Sequence, residues 1–330
     1  MTKKGRRGIA VAGSILTDVI NTVSRYPASG ELTQISSVSR AAGGCVPNVA
    51  ADLKILDCGI DVYACGKIAD DENGRFVLRF LEERGVDTGH ITVSRGGCTS
   101  FTQVVSVSGG QRTFFTYPGA SADFGFADVG LETLNVRMLH LGYFLLLEKA
   151  DNGDGLAILK KAKDLGIETS IDLVTENSDR YSLILPCLPY VDYLIVNETE
   201  GARLAGMEPR PENAAAAARK LLSLGVRKKV IIHFPAGSVC ASANGILTVL
   251  GSRKLPNGFI KGATGAGDAF CAGALLGIYR ELSDREVLAL ATDAAAAALR
   301  GNDAVSGLAD AGAVKQLCGV FERNEPCLSI

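Results

Sequence analysis

The sequence predicts an α/β fold, a parallel sheet built from βαβ units with a small β-sheet lid folded over it. Three observations lead there. From about residue 120 onward, short apolar runs alternate with helical patterns. The first third instead carries polar–apolar stretches of β character beside Gly-Gly pairs. Glycine makes up 38 of the 330 residues, about 12% against a usual value near 7%. That surplus shows no Gly-X-Y period and comes with abundant Leu, Ile and Val, which excludes collagen and disorder. It marks places where backbone bends sharply or comes close to something. The length fits two domains, or one large α/β domain with an appendage, and leaves ample chain for a core.

In chain order, Ile9-Ala10-Val11-Ala12 reads as a buried first strand. Lys3, Lys4, Arg6 and Arg7 before it imitate a secretory leader, but the apolar run stops at Thr17-Asp18 and no cleavage site follows. A polar–apolar stretch at 32–40 precedes Gly43-Gly44, and runs at 101–108 and 111–117 flank Gly109-Gly110 as a hairpin. These insertions assign 18–42 and 97–120 to the lid, and 1–17, 43–96 and 121–330 to the α/β body. Segments 136–141, 168–172, 191–196 and 230–234 read as strands buried on both faces. Helices at 154–165 and 211–224 separate them, the second opening with Pro-Glu. A strand at 258–261 and a helix over 269–279 complete the alternation.

Composition narrows the function classes. The chain balances 34 basic against 36 acidic residues for a net charge of −2, without the basic face a nucleic-acid partner needs. No stretch reaches the ~18–20 apolar residues of a membrane span. Nine cysteines form no CxxC pair and read as reduced buried thiols of a cytoplasmic protein. His90, His140 and His233 lie far apart with no HExxH spacing, so a histidine-rich metal site is not expected. The basic run Arg227-Lys228-Lys229 reads as a solvated turn.

The strongest local signal is Gly262-Ala-Thr-Gly265-Ala266-Gly267-Asp268-Ala-Phe-Cys-Ala-Gly273. Small residues at a helix start leave backbone N–H groups free at the positive end of the dipole, ready for an anion. A carboxylate there binds phosphate badly but can take a proton from a hydroxyl that attacks it. The alternative is plainer: Asp268 stabilises the helix start and the glycines permit packing. Phe270 occupies the third glycine position of GxGxxG, and no GxxxxGK[ST] loop is present, so dinucleotide-binding and P-loop enzymes are disfavoured.

Gly-Ala-Gly-Asp at a late helix, together with Gly43-Gly44 and Asn48 near the N-terminus, resembles the ribokinase or PfkB family of sugar kinases. The resemblance runs from Gly13 to about Ala311. It implies a doubly wound, mostly parallel sheet with helices on both faces, a β-lid, ATP and Mg²⁺ as cofactors, and a sugar hydroxyl as acceptor. A nucleoside or a 2-keto-3-deoxy sugar acid is the alternative acceptor, and a sensor without turnover a further one. Asp268 would be the catalytic base, with the amides of Gly265, Ala266 and Gly267 as the anion hole. Asp18, after Gly13-Ser14, would bind sugar hydroxyls; otherwise it is a turn residue ending the first strand. Gly43 and Gly44 would hinge the lid, and Asn48 would be a substrate ligand; without the family, Pro47-Asn48 is an ordinary helix start. Asn197 and Glu200 match the family's Asn-x-x-Glu element, with Asn197 at the nucleotide and Glu200 at Mg²⁺ through water, though the same pair reads as a capping box. Many relatives pair through the lid, so a homodimer is expected.

Two departures qualify the resemblance. The family's aspartate before Thr-Gly-Ala-Gly-Asp, which helps hold a monovalent cation, is replaced by Gly262-Ala263. Potassium activation therefore lacks its carboxylate. The nucleotide loop reads His233-Phe-Pro-Ala-Gly237-Ser238 instead of Thr-x-Gly-x-x-Gly. Gly237 keeps a nucleotide role, His233 is a packed residue, and Asn302 is placed near adenine. Arg112 on the hairpin would meet a substrate anion or stay exposed.

Overall fold

The computed structural model describes residues 5–107, 112–176, 179–326 and 328. Strand β1 (Ile9–Ala12) is buried along its whole length, and its alternation shows how the core divides. Ile9 and Val11 point into one apolar cluster, Ala10 and Ala12 into another. A strand buried on both faces is the centre of a sheet covered by helices on both sides.

The chain next builds β2 (Leu16–Val23), β3 (Ile35–Gly43), α1 (Cys45–Leu56), β4 (Val62–Ala69), α2 (Glu72–Glu82) and β5 (Asp87–Ser94). Then come β6 (Ser100–Val107), β7 (Arg112–Tyr117) and the single turn α3 (Gly119–Ala122). The βαβ part follows with β8 (Met138–Phe144), α4 (Gly155–Asp164), β9 (Glu168–Leu173), β10 (Tyr193–Asn197), α5 (Glu198–Leu204), α6 (Ala214–Ser223) and β11 (Lys229–Phe234). It ends with β12 (Gly237–Ser242), β13 (Leu247–Gly251), α7 (Ala266–Tyr279), α8 (Asp284–Ala298) and α9 (Ala311–Gly319).

Nine strands form one sheet in the order β13-β12-β11-β10-β9-β8-β1-β4-β5. All pairings from β11 to β5 are parallel, while β12 and β13 join antiparallel at one edge. Helices α1, α2, α7, α8 and α9 bury their apolar residues with Ile9 and Val11, and α4, α5 and α6 with Ala10 and Ala12. The expected mostly parallel sheet with helices on both faces is therefore present.

A second sheet, ordered β3-β2-β6-β7, carries the lid character. Strand β2 pairs antiparallel with β3 and parallel with β6, and β6 pairs antiparallel with β7. The expected Gly109-Gly110 turn lies outside the described residues, as does the side chain of Arg112. Asp18 is in the middle of β2, not in a turn that ends β1. The polar residues Thr17, Asp18, Asn21 and Thr22 hid this strand, which is half-exposed on a small sheet.

Two further expectations are corrected. Segment 258–261 is not a strand: Gly258 has φ of 78° in a turn where Phe259 N–H donates to the Pro256 carbonyl at 3.1 Å. Phe259 packs edge-on to Phe321 and Ile260 is exposed. Helix α7 accordingly starts at Ala266, three residues earlier than the apolar pattern suggested. The basic run is also more than a solvated turn. Arg227 and Lys228 reach Asp192 at 3.6 Å and Glu168 at 2.8 Å, and Lys229 pairs with Asp284. Eight described cysteines are unpaired thiols, six of them buried. No described helix is long and apolar enough to cross a membrane.

Candidate active site

The topology creates the crevice. Strands β1 and β8 are neighbours, and from them the chain builds outward in opposite directions, through β4 to β5 and through β9 to β11. Ligands of open α/β sheets bind at the carboxyl ends of strands where the order reverses in this way. Gly13-Ser14 after β1, Tyr143 in β8, Asp172 in β9, Asn197 at the end of β10 and His233 in β11 all lie at that edge.

Helix α7 points its start at the same place. Gly265 takes φ of 80°, and a Cβ there would lie 2.4 Å from the Ala304 carbonyl oxygen, so only glycine fits. No side chain caps this helix, and Ala266 N–H donates only at 3.4 Å, to the Ala263 carbonyl. A Cβ on Gly267 would meet nothing within 4 Å, so this turn borders open space.

Asp268 belongs to this turn and is only 7% exposed. Its Oδ2 accepts from Asn48 Nδ2 at 2.9 Å, and Tyr143 Oη donates to Oδ1 and Oδ2 at 3.0 and 3.1 Å. Burial pushes its pKa up to about 7; Asp172 and Asp18 push the same way, while Asn48 and Tyr143 oppose them. The result is a carboxyl that titrates near neutrality inside a fixed set of donors.

Tyr143 and Asp172 escaped the sequence reading. Tyr143 holds φ of 59°, an uncommon conformation for a large side chain, and its N–H donates to Asp172 Oδ1 at 2.5 Å. Gly142 beside it makes this possible, since a Cβ there would lie 2.8 Å from Cys45 Sγ and 3.0 Å from Asp172 Oδ1. Beneath them His140 Nε2 lies 3.4 Å from Asp172 Oδ2 and 3.6 Å from Cys271 Sγ. The available signal was positional: Gly-Tyr and Asp each end an apolar parallel strand, where such sheets place their sites.

The N-terminal residues gather around the same point. Gly44 caps α1 at φ of 89°, with Ser14 Oγ accepting from Cys45 N–H at 3.2 Å. A Cβ on Gly43 would lie 2.6 Å from Asp18 Oδ2, so this glycine lets the Asp18 carboxyl lie against the backbone. Asp18 is half-buried, and burial raises its pKa to about 6. By register it shares its lid face with Ile20, Val104 and Phe114. Asn48 is 5% exposed and spends its amide nitrogen on Asp268.

Two cavities meet here. One of about 260 Å³ is lined by Tyr143, Asp172, Asn197, Glu200, Gly267 and Asp268. The other, of about 840 Å³, runs along Gly237, Lys254, Ala263, Phe270 and Ala296. Asn197, His233 and Gly267 line both. Asn197 and Glu200 form the capping box of α5. Glu200 Oε1 accepts from Thr175 Oγ1 at 2.7 Å and Asn197 Nδ2 at 2.8 Å, and Oε2 from Asn197 N–H at 3.0 Å. Burial raises its pKa to about 7. Both Glu200 oxygens thus already accept hydrogen bonds from the protein.

His233 stacks on Phe270 with ring centroids 4.5 Å apart, and burial pushes its pKa down to about 4. It packs on that ring while lining both cavities. Asn302 is exposed and lies by Gly262, not among the residues that line either cavity. A Cβ on Gly262 would approach the Gly301 carbonyl oxygen to 2.9 Å, so a larger residue there requires the loop to shift.

Known proteins share this fold. The chain is 25% identical over 321 residues to ribokinase from Arabidopsis thaliana, covering 94% of this chain and 80% of that protein. It is 28% identical over 214 residues to fructokinase-1 from Oryza sativa subsp. japonica, covering 62% and 64% respectively. The solved structure of Arabidopsis thaliana ribokinase complexed with ribose and ATP superposes with a TM-score of 0.82 at 24% identity, covering 95% of this chain and 99% of that one. The description "pfkB family carbohydrate kinase" matches residues 6–310. With its ribokinase-like fold and this match over nearly its whole length, the chain belongs to the pfkB family of carbohydrate kinases, enzymes that transfer a phosphoryl group to an alcohol.

Proposed function

We propose that the protein transfers the γ-phosphoryl group of ATP to a hydroxyl of a sugar, with Asp268 as general base. One observation carries the reading. A carboxyl titrating near neutrality stands in the first turn of a helix without a side-chain cap, beside Gly267, which lines both cavities. Asp268 takes the proton of the acceptor hydroxyl as its oxygen bonds to the γ-phosphorus. The bond from that phosphorus to the β–γ bridging oxygen breaks, and ADP leaves. The amides of Gly265, Ala266 and Gly267 hold the negative charge on the transferring group.

The larger cavity would take the nucleotide along Gly237 and Phe270, its phosphates directed to Gly267, where the two cavities join. Asp18, Gly43, Gly44 and Asn48 surround the acceptor side. Its closure under the lid keeps water from competing as acceptor. The oxygen atoms of Asn197, Thr175, Glu200 and Asp172 form a hard donor set that fits Mg²⁺ held through water. Bound Mg²⁺ supplies positive charge to the phosphate oxygens. No carboxylate stands at Gly262, so a monovalent activator is not part of this reading. Asn302, away from the cavities, is not part of it either.

The ribose and ATP bound by the Arabidopsis ribokinase support a sugar acceptor. Phe114, 60% exposed on the lid face that Asp18 shares, favours a nucleoside as the second reading. A panel of sugars, sugar acids and nucleosides with ATP and Mg²⁺, read as ADP release, separates them. Release with a pentose or hexose and little without acceptor is expected. Release with nucleosides alone replaces the sugar, and release with no acceptor in the panel contradicts the proposal.

A further inference from the structure

Asp52 lies one helical turn beyond Asn48 on α1 and is completely buried, its neighbours Ala51 and Leu53 likewise. Neither of its carboxylate oxygens has a hydrogen-bond partner, and no described basic side chain pairs with it. One other atom on this helix shares that state. Asn48 Oδ1 is sealed from solvent and accepts nothing, while Nδ2 of the same amide donates to Asp268. Because Oδ1 faces the interior, no substrate hydroxyl reaches it as the protein stands. Three buried acceptor atoms and no donor is a chemical imbalance, and such orphans are costly. One proton resolves most of it. Side chains four residues apart meet on a helix face, where amide and carboxyl groups hydrogen-bond.

We propose that Asp52 is protonated in the working enzyme, donates its O–H to Asn48 Oδ1, and thereby acts as a positioning residue that keeps the Asn48 amide nitrogen on Asp268. An amide presents either oxygen or nitrogen to a neighbour unless a partner decides the matter. With Oδ1 held from below, only the donor end faces Asp268, and a donor favours the ionised form that accepts a proton. The titratable groups facing Asp52 agree with this state. Asp268 from α7 and Asp303 from the 301–307 loop are both carboxyls, and with burial, the largest cause, they raise the Asp52 pKa well above its ordinary value. Asp303 Oδ1 already accepts the N–H groups of Val305 and Ser306 at 3.0 and 2.7 Å. Asp52 touches no reacting atom; its effect passes through Asn48.

The inference rests on Asp268 being the base, so its test has one arm that does not. The first arm is kcat against pH for the wild type, Asp52→Asn and Asp52→Leu. The introduced amide can donate the same bond, so Asp52→Asn keeps the wild-type acid limb. Leucine cannot, so in Asp52→Leu that limb moves to higher pH by about half to one unit, with kcat about 3–10-fold lower near pH 6.5 and recovering near pH 8.5. The second arm is infrared spectroscopy on protein carrying isotope-labelled aspartate. Near pH 8 the wild type shows a protonated-carboxyl band that Asp52→Asn lacks. An unmoved limb in a folded Asp52→Leu, a moved limb in Asp52→Asn, or no such band in the wild type overturns the proposal. If Asp52→Leu does not fold, the infrared band decides. Turnover retained by Asp268→Asn would remove Asp268 as base yet leave that band untouched, so the two failures are distinguishable.

Discussion

Removing a single hydroxyl isolates what surrounds Asp268. Tyr143→Phe deletes both bonds from Tyr143 Oη while leaving the ring to pack. A donor to the ionised form lowers a carboxyl pKa, so its loss raises that of Asp268 above about 7. The acid limb of kcat then shifts upward, with activity about 3–10-fold lower near pH 6.5 and near normal above pH 8.5, measured by ADP release. An unchanged limb would remove Tyr143 from the mechanism. The stability sign follows from the same shift. The folded pKa of Asp268 lies above its ordinary value of 3.8, so its cost to folding is absent at low pH and grows as pH rises toward 7. A carboxyl held where it costs stability agrees with the proposed role of Asp268 as base. Asp268 was readable in the sequence because it sits in a contiguous motif. Tyr143 and Asp172 were not, being single residues on separate strands that only the parallel register brings together.

At the level of elements, the buried strands β8 to β11 were legible because continuous apolar runs bounded by helical patterns have one physical reading in an α/β chain. β2 was not, since a strand on a small sheet with Asn21 and Thr22 partly exposed lacks a continuous apolar run. The apolar pair Phe259-Ile260 misled in the opposite direction, because Phe259 packs on Phe321 from a turn, outside any sheet. The start of α7 offers the clearest test of an element. Gly265→Ala forces a side chain into φ of 80° and against the Ala304 backbone at 2.4 Å. The variant should lose about 1–3 kcal/mol of stability by thermal or urea unfolding, because both strain and displacement of the 301–307 loop are imposed. Its turnover should fall further than stability explains, since the amides facing Gly267 move with the helix start. Wild-type stability in this variant would contradict the close approach.

The whole molecule joins two sheets of different character. The nine-stranded sheet sets the crevice by its strand order, and the four-stranded sheet carries Asp18 to it. The class of this architecture was evident from the sequence, but the strand order was not, because order depends on which strands pair and not on their individual composition. On the lid face turned away from Asp18, Val38 and Phe115 are 64% and 61% exposed. We read this face as the contact between two copies of the chain. Light scattering should then give a dimer for the wild type and a monomer for Phe115→Asp; a wild-type monomer would contradict it. The central claim concerns the point where both sheets, both cavities and α7 converge. Replacing Asp268 with asparagine keeps its shape and removes its ability to take a proton. Turnover of the best acceptor, followed as ADP release near pH 8, should fall by about a thousandfold or more. ATP affinity should stay within a few-fold and the folded state should be no less stable than the wild type. Turnover near that of the wild type in a folded Asp268→Asn enzyme would contradict the account.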